Sequence, residues 1–229
     1  MGLAWGVSYN LTKSLLSEDG YTLKNFNLLY FSTFVVSWIG AKALFLSASS
    51  ENMMDQYLNS SNFWLGGGFV FYGGLLFGLV YLFIFCKLLN LFSAKKLYLF
   101  IPGLTFGHAI GRVGCFLAGC CYGTICELPW AIDLHDHLRH PVQLYEALSL
   151  GILGFLILKM IKFKAEASFI VRFYLISYSI IRFILEYFRG DKIRGVHDYG
   201  TTSQYISLII LSIVLIEIIY SKIIKRQSQ

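Results

Sequence analysis

Charged residues are scarce in this 229-residue chain. Lys, Arg, Asp and Glu together make up 14% of it, and hydrophobic residues make up 56%. A soluble domain usually carries about a quarter of charged residues. Because the mean hydropathy is also high, at +0.63, the composition argues against a soluble globular domain and indicates a protein embedded in a lipid bilayer.

Proline is also rare, and the chain shows no internal repeat and no low-complexity tract. Two of the three prolines, Pro129 and Pro141, lie in or next to a polar segment at 119–141. Seven apolar stretches lack the alternation of a β-barrel, so we predict helices. They cover 3–16, 26–46, 67–88, 97–118, 142–160, 168–188 and 204–223. We therefore predict an all-α polytopic membrane protein with about seven transmembrane helices in a single domain, 1–229.

The first apolar stretch is short for a membrane span, which needs about 20 residues. No basic region precedes it and no small-residue cleavage site follows it, so it does not read as a cleavable signal peptide. We expect either an irregular first helix or a start that lies inside a longer one, and we favour the second.

Basic residues are dispersed at the ends of apolar runs, so the net charge of +6 does not indicate nucleic-acid binding. Ten Lys and Arg residues lie at one set of loop ends and four at the other. The first set contains Lys24, Lys87, Lys95, Lys96, Lys159, Lys162, Lys164, Lys222, Lys225 and Arg226, and the second contains Arg139, Arg189, Lys192 and Arg194. The positive-inside rule then predicts an outer N-terminus, an inner C-terminus and outward loops at 47–66, 119–141 and 189–203.

One stretch, 107–123, combines charge, glycine and cysteine inside an apolar setting. His108 and Arg112 are four residues apart, so a helix places them on one face. Glycines recur every three to five residues and allow a backbone or a ligand to approach closely. An arginine within an apolar segment marks a functional site by default, and its planar fork suits a phosphate. The alternative is a snorkelling arginine with a histidine bound to a backbone carbonyl.

Two further motifs lie near the predicted outer interface. Arg182 and Glu186 share a helix face, either as a structural ion pair or with Glu186 fixing Arg182 toward a cavity. The stretch 140–147, HPVQLYEA, begins a helix, since proline suits a first helical position. Alone it is weak, because Tyr145 and Glu146 also fit an interfacial anchor and a helix-start acid.

Four of the five cysteines lie within twelve residues, at Cys115, Cys120, Cys121 and Cys126. They are compatible with a disulfide, a reactive thiol or small residues packed among glycines. A metal site is a weaker interpretation, because the spacing lacks the paired C-x2-C knuckles of zinc sites. We therefore assign no metal and no cofactor.

Taken together and in order, these pieces resemble the prolipoprotein diacylglyceryl transferase family. The resemblance rests on collinear segments that span nearly the whole chain, with the GR-x-G-x-F, HP-x-QLYE and R-x-x-x-E-[YF]-F-R motifs the most specific in combination. The segments are IGAKALF at 39–45, FYGGLLFG at 71–78, HAIGRVGCFLAGCCYG at 108–123, LPWAI at 128–132, RHPVQLYEA at 139–147, RFILEYFRGD at 182–191 and TSQYISLIIL at 202–211.

The resemblance implies a multi-pass enzyme of a bacterial inner membrane with its active site toward the outer leaflet. Such enzymes move diacylglyceryl from phosphatidylglycerol to the thiol of the lipobox cysteine in a prolipoprotein signal peptide, releasing glycerol-1-phosphate. By motif, Arg112 would hold the lipid phosphate, Arg182 would assist it or the leaving group, and Glu186 would position Arg182. The implied catalytic set is Arg112, Arg182, Glu186, Tyr72 and His108. The implied substrate-binding set is Arg112, Gly114, Cys115, Cys120, Gly123, His140, Gln143, Tyr145, Glu146 and Arg189.

The chain departs from the family pattern at several polar positions. The family usually has His at the position of Tyr72, Asn at Cys115, Glu at Cys120 and a first-helix Tyr at the position of Trp5. Three alternatives therefore remain: a transferase with another acceptor or lipid donor, a catalytically silent lipid-binding protein, and a thiol-redox membrane protein.

Overall fold

The computed structural model describes residues 2–20, 26–48, 71–88, 94–191, 196–197 and 199–227. Seven α-helices lie in these ranges. They are α1 (Gly2–Glu18), α2 (Phe26–Ala48), α3 (Phe71–Leu88), α4 (Ile101–Leu117), α5 (Val142–Lys162), α6 (Ala167–Leu185) and α7 (Thr202–Gln227). Two 3₁₀ turns, Ala94–Phe100 and Glu186–Phe188, precede α4 and follow α6. Each helix covers one predicted apolar stretch, which confirms the all-α polytopic architecture.

Five of the helical segments are long and apolar enough to cross a membrane. They are Phe26–Ser47, Lys96–Leu117, Val142–Lys162, Ala167–Phe188 and Thr202–Ile224. The remaining two are shorter, with 17 residues in α1 and an apolar part of α3 at Gly73–Phe85. The predicted start of the third stretch, 67–70, lies outside the described residues. The protein is therefore a multi-pass membrane protein.

The chain divides into two compact units, Leu16–Leu97 and Met1–Leu15 with Tyr98–Gln229. In the first unit α2 packs on α3 through glycines, because a Cβ at Gly40 would meet Phe77 at 2.5 Å and a Cβ at Gly74 would meet the Ser37 carbonyl at 3.1 Å. In the second unit neighbouring helices of α4 to α7 pack in chain order, and the first turns of α1 lie against α4.

The second unit has a buried apolar core between α4, α5 and α6. It consists of Ile101, Leu153, Ile157 and Ile170, with aromatic side chains such as Phe173 packed around it. Large apolar side chains elsewhere on α5, α6 and α7 are exposed in the isolated chain, for example those of Leu148, Phe155, Ile184 and Ile216. Exposed apolar surface on helices of this length is what contact with lipid requires.

Short strands lie in the polar connections, where the sequence patterns predict only loops. Strands β1 (Ile132–Leu134) and β2 (His137–Arg139) form an antiparallel hairpin between α4 and α5. Its turn uses His135 and Asp136, both at positive φ. Strands β3 (Val196–His197) and β4 (Gly200–Thr201) form a second hairpin before α7. Strands of two or three residues carry too little alternation to be recognised from sequence.

Candidate active site

A buried carboxylate, Glu146, lies at the centre of a cluster of charged side chains. Only 2% of Glu146 is exposed. Its Oε2 lies 2.9 Å from Nε of Arg112 and 3.8 Å from Nη1 of Arg182, and its Oε1 lies 3.7 Å from Nε2 of His108. Burying a carboxylate is costly unless cations and hydrogen bonds compensate it. Glu146 therefore holds two guanidinium groups side by side on one oxygen.

A second buried carboxylate and a hydroxyl complete the surroundings of Arg182. Nη2 of Arg182 lies 2.8 Å from Oε2 of Glu186 and donates to Oγ of Ser203 at 3.0 Å. Arg182 is 8% exposed and Glu186 is 1% exposed. Since two carboxylates and a hydroxyl constrain this guanidinium, its position is defined before any substrate binds.

Four helices meet at this cluster, α4 with its middle turns and the other three near one end. His108 and Arg112 lie one turn apart on α4, Glu146 lies in the second turn of α5, and Arg182 lies in the last turn of α6. The i,i+4 spacing on α4 places both of its side chains on the face toward α5. Ser203, at the start of α7, adds the fourth helix.

The segment that follows α4 turns back through a glycine. Gly119 has φ +66°, its N–H donates to the Phe116 carbonyl at 3.0 Å, and the Cys120 N–H donates to the Cys115 carbonyl at 3.1 Å. These two bonds form a Schellman motif, which ends a helix and reverses the chain. As a result Cys120 lies directly over Cys115, and the Cys120 thiol donates to the same carbonyl at 3.5 Å.

Three cysteine side chains form a compact cluster at this helix end. The sulphur atoms of Cys115, Cys120 and Cys121 all lie within 4.8 Å of one another, and none of the three forms a disulfide. Cys115 and Cys121 share a hydrogen bond in which Cys115 keeps the proton, and this bond lowers the pKa of the Cys121 thiol. Burial raises the pKa of the Cys120 thiol. The positive charge of Arg112 acts on both Cys115 and Cys121.

The start of α5 is fastened to the same segment. Nε2 of Gln143 donates to the Cys120 carbonyl at 2.7 Å, and Gln143 is 1% exposed. No donor among the described residues reaches the Gln143 amide oxygen. Gln143 therefore ties the cysteine cluster to the helix that carries Glu146, and it retains a free acceptor.

Arg189 lies in the strand-like pairing beside this segment. Its guanidinium binds Asp191 through two bonds of 2.9 and 2.6 Å. Burial acts to lower the pKa of Arg189, but the bonds with Asp191 outweigh it, so the pKa is raised and the group stays charged. Gly123 pairs with Arg189 through the backbone, and a Cβ at Gly123 would meet the His140 carbonyl, so only glycine fits there.

Aromatic and imidazole side chains form a further group at the start of α5. The Trp130 indole N–H donates to the Tyr145 hydroxyl at 2.8 Å, and Nδ1 of His140 lies 3.3 Å from the same oxygen. The His140 ring packs edge to face on Phe188 at 5.2 Å. These contacts tie the hairpin segment to both α5 and the end of α6.

Comparison with known proteins identifies the family of this chain. The model of the family described as prolipoprotein diacylglyceryl transferase matches residues 1–220. The chain belongs to this family.

Several relatives named as diacylglyceryl transferases align with much of the chain. The phosphatidylglycerol–prolipoprotein diacylglyceryl transferase of Clostridium tetani is 34% identical over 74% of this chain and 70% of its own length. That of Finegoldia magna is 38% identical over 69% of this chain and 63% of its own length. The phosphatidylglycerol–prolipoprotein diacylglyceryl transferase 2 of Clostridium perfringens is 33% identical over 78% of this chain and 72% of its own length.

Most site residues suggested by the family resemblance lie in or beside the structures just described. His108, Arg112, Arg182 and Glu186 meet around Glu146, and the spacing argument for both i,i+4 pairs agrees with their positions. Glu146, which the sequence also allowed as a helix-start acid, lies in the second turn of α5 and is buried among cations. Tyr72 lies in the first turn of α3, and its side chain is outside the described part of the structure.

The glycines of 107–123 behave differently from one another. Gly107 packs on α1, where a Cβ would lie 3.2 Å from the Ala4 carbonyl, and Gly123 packs on His140. Among the described residues, no atom lies within 4 Å of a Cβ at Gly111 or Gly114, so these two glycines have no close backbone neighbour there.

Two hydrogen-bond partners of site residues were not predicted from the sequence. Ser203 binds Arg182, and Trp130 binds Tyr145. Both lie within the segments that carry the resemblance, 202–211 and 128–132, but an isolated serine or tryptophan offers no spacing that predicts a partner 15 or more residues away.

Proposed function

We propose that this protein transfers the diacylglyceryl group of phosphatidylglycerol to the thiol of a lipobox cysteine in a prolipoprotein signal peptide. The observation that carries the proposal is the convergence of Arg112 and Arg182 on one buried carboxylate oxygen. The relatives' name supports the choice of substrates.

Two neighbouring guanidinium groups suit a reaction that expels a phosphate. When the acceptor sulphur attacks the glyceryl carbon, the C–O bond breaks and negative charge develops on the leaving glycerol phosphate. Fixed cations that face developing charge stabilise a transition state because they need no reorganisation. Arg112, with 16% of its side chain exposed, binds the lipid phosphate in this scheme, and Arg182 assists the leaving group.

The carboxylates and His108 have supporting roles in the proposal. Glu146 sets the separation of the two arginines, and Glu186 positions Arg182 from the opposite side. His108 is held next to Glu146 and packs edge to face on Tyr178 at 5.7 Å. Tyr72 stays a proposed catalytic residue on the family resemblance alone.

The segment between α4 and α5 forms the substrate side of the proposed site. Gln143 joins this segment to α5, and the backbone pairing of Gly123 with Arg189 joins it to the end of α6. We assign to substrate binding Gly114, Cys115, Cys120, Gly123, His140, Gln143, Tyr145 and Arg189.

We place this site at the outer leaflet of a bacterial inner membrane. The distribution of Lys and Arg supports this orientation, since ten basic residues lie at the opposite set of loop ends. We also propose that residues 1–229 act as one transferase domain.

The experiment that tests the function uses purified protein in lipid, labelled phosphatidylglycerol and a lipobox peptide. We expect label to appear on the peptide together with glycerol phosphate. Arg112→Ala should abolish transfer, and Arg182→Ala should reduce it about 10²–10³-fold, the usual effect of removing one group that stabilises developing charge.

Arg172→Ala is the matched control. Arg172 lies on the same helix as Arg182 and is also ion-paired, with Glu217 at 2.7 Å, but it lies outside the cluster. Its transfer rate should stay near that of the wild type. Full turnover in Arg112→Ala would contradict the mechanism, glycerol phosphate without labelled peptide would indicate another acceptor, and bound lipid with neither product would indicate a silent lipid-binding protein.

A further inference from the structure

The cysteine cluster has the composition of a metal site with one ligand missing. We propose that the sulphurs of Cys115, Cys120 and Cys121 bind a Zn²⁺ ion, and that this ion takes the acceptor cysteine as its fourth ligand and activates it. The catalytic half of this inference rests on the proposed function, whereas zinc binding itself does not.

The distances fit a zinc ion after small side-chain rotations. A Zn–S bond is about 2.3 Å, so sulphurs around a tetrahedral ion lie roughly 3.8 Å apart. Here the three sulphurs lie within 4.8 Å of one another. The Schellman turn at Gly119 creates this proximity, because it brings Cys120 back over Cys115. The turn therefore brings the three zinc ligands together without the paired C-x2-C motifs of zinc knuckles.

The number of ligands indicates a catalytic rather than a closed structural site. Within the part of the chain that the structure describes, the cluster comprises three sulphur ligands and no fourth His, Cys, Asp or Glu atom. Structural zinc sites have four protein ligands, whereas catalytic sites have three and leave one position to water or substrate. Cys120 is exposed, and Cys115 and Cys121 are half-buried, so an external thiol can reach the open position.

The surrounding charges favour such a site. A Zn²⁺ ion with three thiolates carries a net charge of −1, and a fourth thiolate makes it −2. Arg112 lies three residues before Cys115 on α4, and Arg189 pairs through its backbone with Gly123, two residues after Cys121. Both arginines also bind carboxylates, Glu146 and Asp191, so they offset part of this charge. Because Arg112 also contacts Glu146 in the charged cluster, the metal-bound acceptor lies beside the proposed phosphate site.

The step balances without any further reagent. An ordinary cysteine thiol has a pKa of about 8.5, so most of it is protonated at neutral pH, whereas a thiol bound to zinc loses its proton. The proton passes to solvent. The thiolate sulphur leaves zinc as it forms the S–C bond to the glyceryl carbon, and the C–O electron pair departs with glycerol phosphate.

The first measurement is zinc binding by the reduced protein, with Zn²⁺ as the sole probe and no lipid or peptide. We expect about one tightly bound ion per chain. Co²⁺ in its place should show thiolate-to-metal charge-transfer absorption. Single Ser substitutions at Cys115, Cys120 and Cys121 should each weaken Zn²⁺ binding at least tenfold. Cys126→Ser is the matched control and should bind like the wild type, because this nearby free cysteine lies outside the cluster.

The second measurement separates activation from binding and needs no variant that could misfold. Removing zinc from the wild-type protein with a chelator should lower the rate of label transfer to the lipobox peptide about 10²-fold. This is the lower end of the rate enhancement that assisted proton removal usually provides. Adding Zn²⁺ back should restore it. No stoichiometric binding by the wild type, or equal binding by the three Ser variants, overturns the site. If complete removal of zinc leaves the transfer rate unchanged, zinc does not activate the acceptor thiol. If the protein binds zinc but transfers no label, the zinc site stands and the proposed transferase function is wrong.

Discussion

At the scale of single residues, Glu146 decides how the candidate site is built. It contacts groups from α4 and α6 at once and is almost fully buried. A buried carboxylate with this many cationic neighbours is stabilised by them and holds them together in turn. We infer that Glu146 sets the relative position of Arg112 and Arg182, in addition to the substrate-binding role that the family resemblance implies.

Replacing Glu146 should affect stability and activity together. Glu146→Ala leaves two guanidinium groups close to each other without their shared counter-charge, so we expect a loss of about 3–5 kcal/mol in the free energy of unfolding. Glu146→Gln keeps the shape and removes only the charge, so it should lose less stability than Glu146→Ala but still impair transfer. Thermal unfolding in detergent, followed alongside label transfer, measures both effects.

Glu127→Gln provides the comparison for these variants, because Glu127 is an exposed acid in the segment between α4 and α5. It should unfold like the wild type. A wild-type unfolding temperature for Glu146→Ala would show that the arginines do not need the shared carboxylate.

At the scale of secondary-structure elements, α4 organises the second unit. Its early turns pack on α1 through glycines, a later turn carries His108 and Arg112, and its C-terminal end carries the cysteine turn. One helix therefore joins the packing surface, the charged cluster and the proposed metal site. A shift of α4 relative to its neighbours would displace all three.

Adding a methyl group at Gly103 should disturb the contact between α1 and α4. A Cβ there would lie 2.8 Å from the Ser8 carbonyl, so the two backbones must move apart. We expect Gly103→Ala to be destabilised by about 1–3 kcal/mol, as in other overpacked sites. The measurement is the unfolding temperature in detergent.

Gly111→Ala is the matched control on the same helix, because no described atom lies within 4 Å of a Cβ at Gly111. Both variants gain the helix propensity of alanine, so the difference between them isolates packing. Equal unfolding temperatures would mean that α1 does not pack tightly on α4.

At the scale of the whole molecule, orientation in the membrane decides which compartment the site faces. Seven helices place the two ends of the chain on opposite sides of a bilayer if each one crosses it. The Lys and Arg distribution predicts that the segment between α4 and α5 faces outward and the turn between α5 and α6 faces inward.

Thiol labelling tests this orientation. In a background with all five native cysteines changed to serine, Glu127→Cys should react with a membrane-impermeant maleimide added outside intact cells. Lys162→Cys, which lies at the exposed end of α5, should react after the membrane is opened and not before. The reverse pattern would place the proposed site in the cytoplasm.

The sequence by itself determined the class of the protein and the identity of its helices. Long apolar runs without alternation leave helices as the way to satisfy backbone hydrogen bonds in lipid, and each predicted run corresponds to a helix. Local spacing also placed His108 with Arg112 and Arg182 with Glu186, because helix geometry alone relates residues four apart. The short hairpins were missed, since two or three residues carry no periodicity.

Only the tertiary structure decided which of these pairs share a site. Glu146, predicted near an interface, is buried between Arg112 and Arg182, which lie 34 and 36 residues from it along the chain. The three cysteines lack the spacing of a zinc knuckle, yet a glycine turn after α4 gathers their sulphurs. Both results depend on how helices pack and where the chain reverses, and packing between distant segments is not encoded in any local pattern of residues.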